Sequence, residues 1–306
     1  MRRPGEFVAS RCGGLMSAGM GRPPEGAHAA GEGTPVSAGM NRPLDGKVAI
    51  VTGSTQGLGL EIARVLSACG AHLVVVGRNA VAGGAVAAQL QQHGVRALYC
   101  ATDIERDEEI DKCVARTIDS FGRLDILVNN ACTYADRGFD AGRAEWLQSL
   151  NVNLVSAAIF TQKAVVHMRR GSVIVNLGST GGKFGAAGRA LYPAAKAALL
   201  QMTKNLAVTL APRGIRAVAV SPAWTWSPAI ETLSQGSRAA ADAVAAPFHP
   251  LGRVGDGSEV GHAVAFLASD AASWITGVDI PVDGGFSVLG PDRGIAPRAW
   301  FERSIG

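Results

Sequence analysis

From Lys47 onward the apolar residues fall alternately into short continuous runs and helix-spaced sets. Val48, Ala49, Ile50 and Val51 form one run that ends in a glycine-rich turn. Leu58, Ile62, Val65 and Leu66 follow at the spacing of a single helix face, up to about Gly70. The alternation then repeats. A β-branched run covers 72–76, a helix is predicted over 81–92, a strand over 96–100, a charged helix over 106–120 and a strand over 125–128. A long helix is predicted from Ala144 to Met168, then a strand over 172–176, a helix over 192–210 and a strand over 215–220. After a loop come a helix near 258–268 and a last strand over 278–282. Strands that are apolar at every position are buried on both faces, which is the signature of a parallel sheet covered by helices on both sides. The pattern predicts an α/β fold: a single doubly wound (Rossmann) domain over residues 44–286, with a parallel seven-stranded sheet and helices on both faces.

The first 43 residues lack either periodicity and are rich in Gly, Ala, Pro and Arg. They read as a flexible extension, because they offer too little apolar surface to offset the entropy of ordering. Within them Ser17–Pro23 recurs as Ser37–Pro43 with one change, and Met20 and Met40 stand as alternative starts. Met1-Arg2-Arg3 opens like an export signal, but no apolar stretch follows, so export is rejected. Residues 287–306 form a C-terminal extension that carries Trp300 and Phe301; it packs on a neighbouring subunit or is loose.

Composition narrows the function. Hydrophobic residues make up 47% of the 306-residue chain and charged residues 18%, which excludes a disordered protein. A net charge of +4 without a long basic block does not describe a nucleic-acid binder. No apolar run is long enough to cross a membrane. The five cysteines are scattered, and neither they nor His72, His93, His167, His249 and His262 show metal-ligand spacing, so no metal is expected. Free thiols point to a reducing cytoplasm.

The first strand runs through Thr52-Gly53-Ser54-Thr55-Gln56-Gly57-Leu58-Gly59 straight into a helix. Glycines in such a turn allow a tight bend, a close approach to a pyrophosphate and close helix packing. The helix N-terminus adds free N–H groups and the positive end of its dipole. After the second strand Gly77-Arg78-Asn79 has no carboxylate, and Arg78 suits a 2′-phosphate, so NADP(H) is expected over NAD(H). Tyr192 and Lys196 stand four apart at the start of a helix, on one face. A lysine there is expected to lower the tyrosine pKa and make it an acid/base near neutrality. Ser179 follows the fifth strand, at the end of the sheet where such folds bind ligands.

These motifs together resemble the short-chain dehydrogenase/reductase family over residues 44–286. The likeness rests on the 52–59 turn, Asn129-Asn130-Ala131, Asn153, Ser179, Tyr192 with Lys196, Pro222, and Val282-Asp283-Gly284-Gly285. It implies an oxidoreductase that interconverts a carbonyl and a secondary alcohol of a small molecule by hydride transfer. Tyr192 would be the acid/base and Ser179 would polarise the carbonyl. Lys196 would bind the nicotinamide ribose, and Asn153 would distort its helix and anchor a relay water. The cofactor would lie on Gly53, Thr55, Gln56, Gly57, Leu58, Gly59, Arg78, Asp103, Ile104, Asn130, Ala131, Tyr192, Lys196, Pro222 and Thr225. The resemblance also implies a homotetramer or homodimer. A catalytically silent dinucleotide sensor or scaffold on the same fold is the alternative. The sequence departs from the family at Cys132 and Ala223, where glycines are usual. Cys132 reads as packing in preference to a redox sensor. Trp224 and Trp226 mark the substrate loop and fit either a ring-bearing substrate or a lid packed on the core. Asp125 and Arg253 are expected to be structural.

Overall fold

In a computed structural model of the chain, residues 42–290 and 292–305 are described; most of the N-terminal extension, with Cys12 and nearly all of its internal repeat, lies outside them. Seven strands form one sheet: β1 (Val48–Thr52), β2 (His72–Gly77), β3 (Ala97–Ala101), β4 (Leu124–Asn129), β5 (Met168–Leu177), β6 (Arg216–Pro222) and β7 (Asp279–Val282). Their order is β3-β2-β1-β4-β5-β6-β7, and every pairing is parallel. The order reverses between β1 and β4, which is where a doubly wound sheet opens a crevice at its carboxyl ends.

Side-chain alternation divides the core. Ala49 and Val51 of β1 join Leu73 and Val75 of β2, under Ile62, Leu66, Val260 and Val264. Ile50 of the same strand joins Val74, Leu127 and Ile174 on the opposite face, under Ile110, Phe160 and Leu210. β1, β2 and β4 thus feed two cores, which is why their sequences are largely apolar. Asp125 is structural, as expected: it accepts from the Val48 N–H at 2.9 Å and from Arg123 at 2.8 Å through each oxygen.

The helices are α1 (Gly57–Ala68), α2 (Ala80–Gln91), α3 (Asp107–Phe121), α4 (Arg143–Leu150), α5 (Ser156–Val165), α6 (Leu191–Leu210), α7 (Pro228–Leu233), α8 (Arg238–Ala245), α9 (Gly257–Ala268) and α10 (Pro297–Ile305). Two expectations fail. The helix predicted over Ala144–Met168 is interrupted by a π turn, Asn151–Val155, and ends at Val165. Met168 already pairs with Leu124 in the sheet, and the ladder breaks before resuming at Val173. The apolar signal ran on because Met168 packs in the same core as Phe160 and Ala164. The stretch between β6 and α9, expected as a loop, contains α7 and α8, each N-capped by a serine hydroxyl, Ser227 and Ser237.

Candidate active site

The turn from β1 into α1 is held by its neighbours. Thr52 Oγ1 accepts from the N–H groups of Asn130 and Ala131 at 2.9 and 3.0 Å. Asn130 Nδ2 donates to the Thr52 and Gly53 carbonyls at 2.8 and 3.2 Å. The glycines are required by contact: a Cβ at Gly59 would lie 2.3 Å from the Gly53 oxygen, and Gly53 itself has φ +65° with Ala131 Cα 2.9 Å from its missing Cβ. Gln56 makes no side-chain cap, and the first turn of α1 carries no acid. The helix therefore presents uncapped amides and its positive dipole end above β1, a cradle that fits a pyrophosphate. Thr55 and Leu58 belong to this turn. Arg78 follows β2, exposed and without a hydrogen bond or ion pair to any described residue. A Cβ at Gly77 would lie 2.7 Å from Thr55 Cγ2, so an acidic side chain there would displace Thr55. Asp103 and Ile104 follow β3, where the Asp103 N–H donates to Glu109 at 2.7 Å and Ile104 packs on the core. Pro222 ends β6, and Thr225 bridges to Gly255 beyond it.

The four candidate catalytic residues gather next to this cradle. Asn153 lies in the π turn, buried; its Oδ1 accepts from the Thr133 N–H at 2.9 Å, and its Nδ2 donates to the Thr133 carbonyl at 3.1 Å and Ser149 at 3.2 Å. Ser179 follows β5, and its Oγ accepts from the Gly181 N–H at 3.0 Å. Tyr192 and Lys196 occupy the buried face of α6 with Leu199, Thr203 and Leu210. Lys196 Nζ donates to the Leu177 carbonyl at 2.6 Å and lies 5.6 Å from the Tyr192 ring centroid.

The expected lowering of the Tyr192 pKa is not found. Burial, reinforced by the nearby Cys132 thiol, pushes the phenol up to about 12, against the pull of the Ser179 hydroxyl, the Arg189 charge and the Tyr134 hydroxyl. Burial also lowers the Lys196 pKa, so the lysine is itself short of stabilisation as an ammonium. Desolvation is the largest influence on both groups.

Three neighbours of Tyr192 escaped the sequence reading. Asp136 is a buried carboxylate that accepts from the backbone N–H groups of Gly138, Ala190 and Tyr192 at 3.0 to 3.1 Å. Burial alone would raise its pKa; these amides outweigh it and hold the carboxyl below its usual value. Tyr134 packs at 5.1 Å between ring centroids from Tyr192, and the Arg189 guanidinium lies 5.1 Å from the same ring. No spacing rule marks Asp136, since its partners are main-chain amides, but a charge three residues before Tyr192 was visible in Arg189. Farther out, Trp224 packs on Phe248 and His249, and His249 on Phe286. His249 is buried with Nδ1 on the Ala245 carbonyl at 3.0 Å, in keeping with a hydrogen-bonded role. Arg253 pairs with Glu259 at 2.7 Å, also structural.

Comparison with known proteins agrees with this geometry. A sequence profile described as enoyl-(acyl carrier protein) reductase matches residues 53–287. The chain is 36% identical over 246 residues to cis-4-hydroxycyclohexanecarboxylate dehydrogenase of Sinomonas cyclohexanicum, covering 79% of this chain and 97% of that protein. It is 34% identical over 244 residues to 3-oxoacyl-[acyl-carrier-protein] reductase of Synechocystis sp., covering 78% and 96%. Among solved structures, a putative short-chain alcohol dehydrogenase from Sinorhizobium meliloti superposes with a TM-score of 0.76 at 33% identity, over 81% of this chain and 99% of that one. A 7α-hydroxysteroid dehydrogenase complexed with NADH and 7-oxo glycochenodeoxycholic acid gives 0.75 at 30% identity, over 80% and 96%. On sequence, fold and relatives alike, the chain belongs to the short-chain dehydrogenase/reductase family of NAD(P)-dependent oxidoreductases.

Proposed function

We propose that the protein interconverts a carbonyl and a secondary alcohol of a small molecule, with NADP(H) preferred over NAD(H). The observation that carries this reading is the buried Tyr192 phenol, flanked by Ser179 and Lys196 beside the glycine cradle. The relatives' names support the class: a hydroxycyclohexane acid, a 3-oxoacyl group and a 7-oxo bile acid all present carbon at the alcohol or ketone level. The cradle of Gly53, Gly57 and Gly59 with the α1 N-terminus would hold the pyrophosphate, and Arg78 the 2′-phosphate. When bound, the nicotinamide supplies or accepts the hydride. Ser179 holds and polarises the substrate oxygen. Tyr192, protonated at neutral pH by its raised pKa, gives its proton to that oxygen in reduction and takes it back in oxidation. Lys196 binds the nicotinamide ribose and supports the phenolate. Asn153, fixed by Thr133 in the π turn, anchors a water that returns the proton. A silent sensor has no use for this acid/base set.

The preference for NADP(H) rests on the unpaired Arg78 guanidinium and on Thr55, which crowds the place of an acid at Gly77. Asp103 and Ile104, with Asn130, Ala131, Pro222 and Thr225, complete the cofactor site in this reading. The chain is assigned to the cytoplasm because Cys69, Cys100, Cys113 and Cys132 are unpaired thiols. The likeness to the family also assigns a homotetramer or homodimer, to be measured by sedimentation. Steady-state kinetics on a panel of ketones and secondary alcohols with both cofactors tests the whole reading. Turnover with kcat/KM favouring NADPH by about tenfold is expected, which needs only about 1.4 kcal/mol. Preference for NADH overturns the cofactor assignment, and no turnover of any member overturns the activity.

A further inference from the structure

We propose that Arg189 binds a carboxylate of the substrate, which makes the substrate a short or small-ring oxo- or hydroxycarboxylic acid. This rests on the oxidoreductase reading of the same site and narrows its substrate class.

Several other arginines of the chain make close contacts to carboxylates. Arg253 meets Glu259 at 2.7 Å, Arg123 meets Asp125 at 2.8 Å, and Arg238 meets Asp242 at 3.0 Å. The Arg189 guanidinium has no hydrogen bond to any described residue. Its one acidic neighbour, Asp136, lies 3.8 Å from Nε, and the Arg189 side chain remains 42% exposed. Asp136 lies within ion-pair distance of Nε, but each of its oxygens already accepts two backbone N–H bonds, so it makes no hydrogen bond to the guanidinium. The Ala190 and Tyr192 amides sit at the N-terminus of α6, whose positive dipole end offsets the Asp136 charge. The terminal Nη donors of the guanidinium are therefore left without a hydrogen-bond partner among the described residues.

Arg189 lies 5.1 Å over the ring of Tyr192, whose hydroxyl does the proton transfer. The other cations near the site are engaged: Lys183 pairs with Asp279 at 2.5 Å, and Lys196 is buried on the Leu177 carbonyl. A planar guanidinium with two parallel donors matches a carboxylate in bidentate geometry better than any neutral group. Because it covers the very ring that serves the reacting oxygen, the carboxylate and the carbonyl must be only a few carbon atoms apart. The exposed Tyr134 ring, packed beside Tyr192, offers an apolar wall for the carbons between them.

The test uses ligands that do not react. Isothermal titration of the full chain with NADP(H) bound compares cyclohexanecarboxylate with cyclohexanecarboxamide, which has the same shape without the charge. The wild type is expected to bind the carboxylate more tightly by about tenfold or more. Arg189→Gln should erase that difference, and Arg189→Lys, which keeps the charge but not the fork, should retain part of it. Equal affinities in the wild type, or a difference that survives in Arg189→Gln, overturns the proposal. Neither ligand can be reduced, so the result stands apart from turnover. A ketone panel without activity defeats the proposed function alone, whereas lost carboxylate selectivity in an active enzyme defeats this inference alone.

Discussion

Tyr192 is the residue on which the chemistry turns, and its surroundings set the direction that is easiest. Burial holds its phenol up to about 12, so at neutral pH it is a proton donor ready for carbonyl reduction. Oxidation needs the deprotonated form, whose population grows about tenfold per pH unit below the pKa. kcat/KM for alcohol oxidation is therefore expected to rise with pH through the neutral and alkaline range, while that for ketone reduction stays level. A pH profile in both directions checks this, and equal profiles would show that the raised pKa does not govern the step. Tyr192→Phe keeps the ring and removes the proton, and turnover should fall by at least about 100-fold, the low end for acid–base catalysis, with cofactor binding intact. The pair Tyr192 and Lys196 was legible in sequence because helical spacing puts them on one face and Ser179 and the other motifs stand in the same order around them. Its electrostatics were not, because the lowering expected from Lys196 depends on burial that spacing cannot report. Asp136 was equally hidden: its bonds go to main-chain amides, which leave no trace in side-chain pattern.

At the scale of elements, packing exceptions decide more than propensity. Gly83 sits inside α2, where alanine would ordinarily be favoured by about 1 kcal/mol. Here a Cβ would fall 2.0 Å from the Tyr99 ring, whose hydroxyl donates to the Gly77 carbonyl at 2.9 Å. Gly83→Ala is thus expected to destabilise by about 1–3 kcal/mol through overpacking, and to become neutral or stabilising in a Tyr99→Ala background. Denaturant unfolding of the four variants measures this coupling; additive effects would contradict the contact. α9 opens with a capping box in which Asp256 is the N-cap and Glu259 closes it, the Asp256 N–H donating to Glu259 at 2.7 Å. Arg253 first, and then that N–H, lower the Glu259 pKa from 4.5 to about 2. A carboxylate depressed in the fold stabilises above its unfolded pKa and loses that contribution as pH falls through the folded one. Glu259→Gln should therefore lower Tm at neutral pH and flatten the loss of stability between pH 4.5 and about 2. The box was readable as Asp-x-x-Glu before an apolar run. The π turn at Asn151–Val155 was not readable from periodicity, because apolar spacing continues on both sides of it; only the family likeness, which implied a helix distorted at Asn153, pointed to it.

The order of the whole molecule was largely legible, since seven apolar runs separated by helical stretches leave few alternatives to a doubly wound parallel sheet. What was lost was structure without strong periodicity: α7 and α8 are short, α8 is mostly alanine, and each is N-capped by a serine. The lower boundary of the folded unit is the remaining question of scale, and Leu44 answers it. It lies four residues before β1 yet is completely buried in the core with Ile62 and Leu66. Its N–H donates to the Cys69 carbonyl at 3.0 Å, and its carbonyl accepts from the Lys47 N–H at 3.0 Å, which ties the entry of β1 to the end of α1. Two truncations should therefore behave differently. Removing residues 1–40 takes away a segment without periodicity and leaves Leu44 in place, so Tm and specific activity should match the full chain. Extending the cut through residue 46 removes a fully buried leucine and its two backbone bonds. A loss of about 3–5 kcal/mol is expected, by analogy with deletion of a buried leucine side chain. For a domain of this size that is a fall in Tm on the order of 10 °C. Calorimetry and size-exclusion chromatography on the two truncations decide the matter. A marked drop in Tm or a changed oligomer in the shorter cut would make residues 1–40 part of the structure, and an unchanged Tm in the longer cut would remove Leu44 from the core.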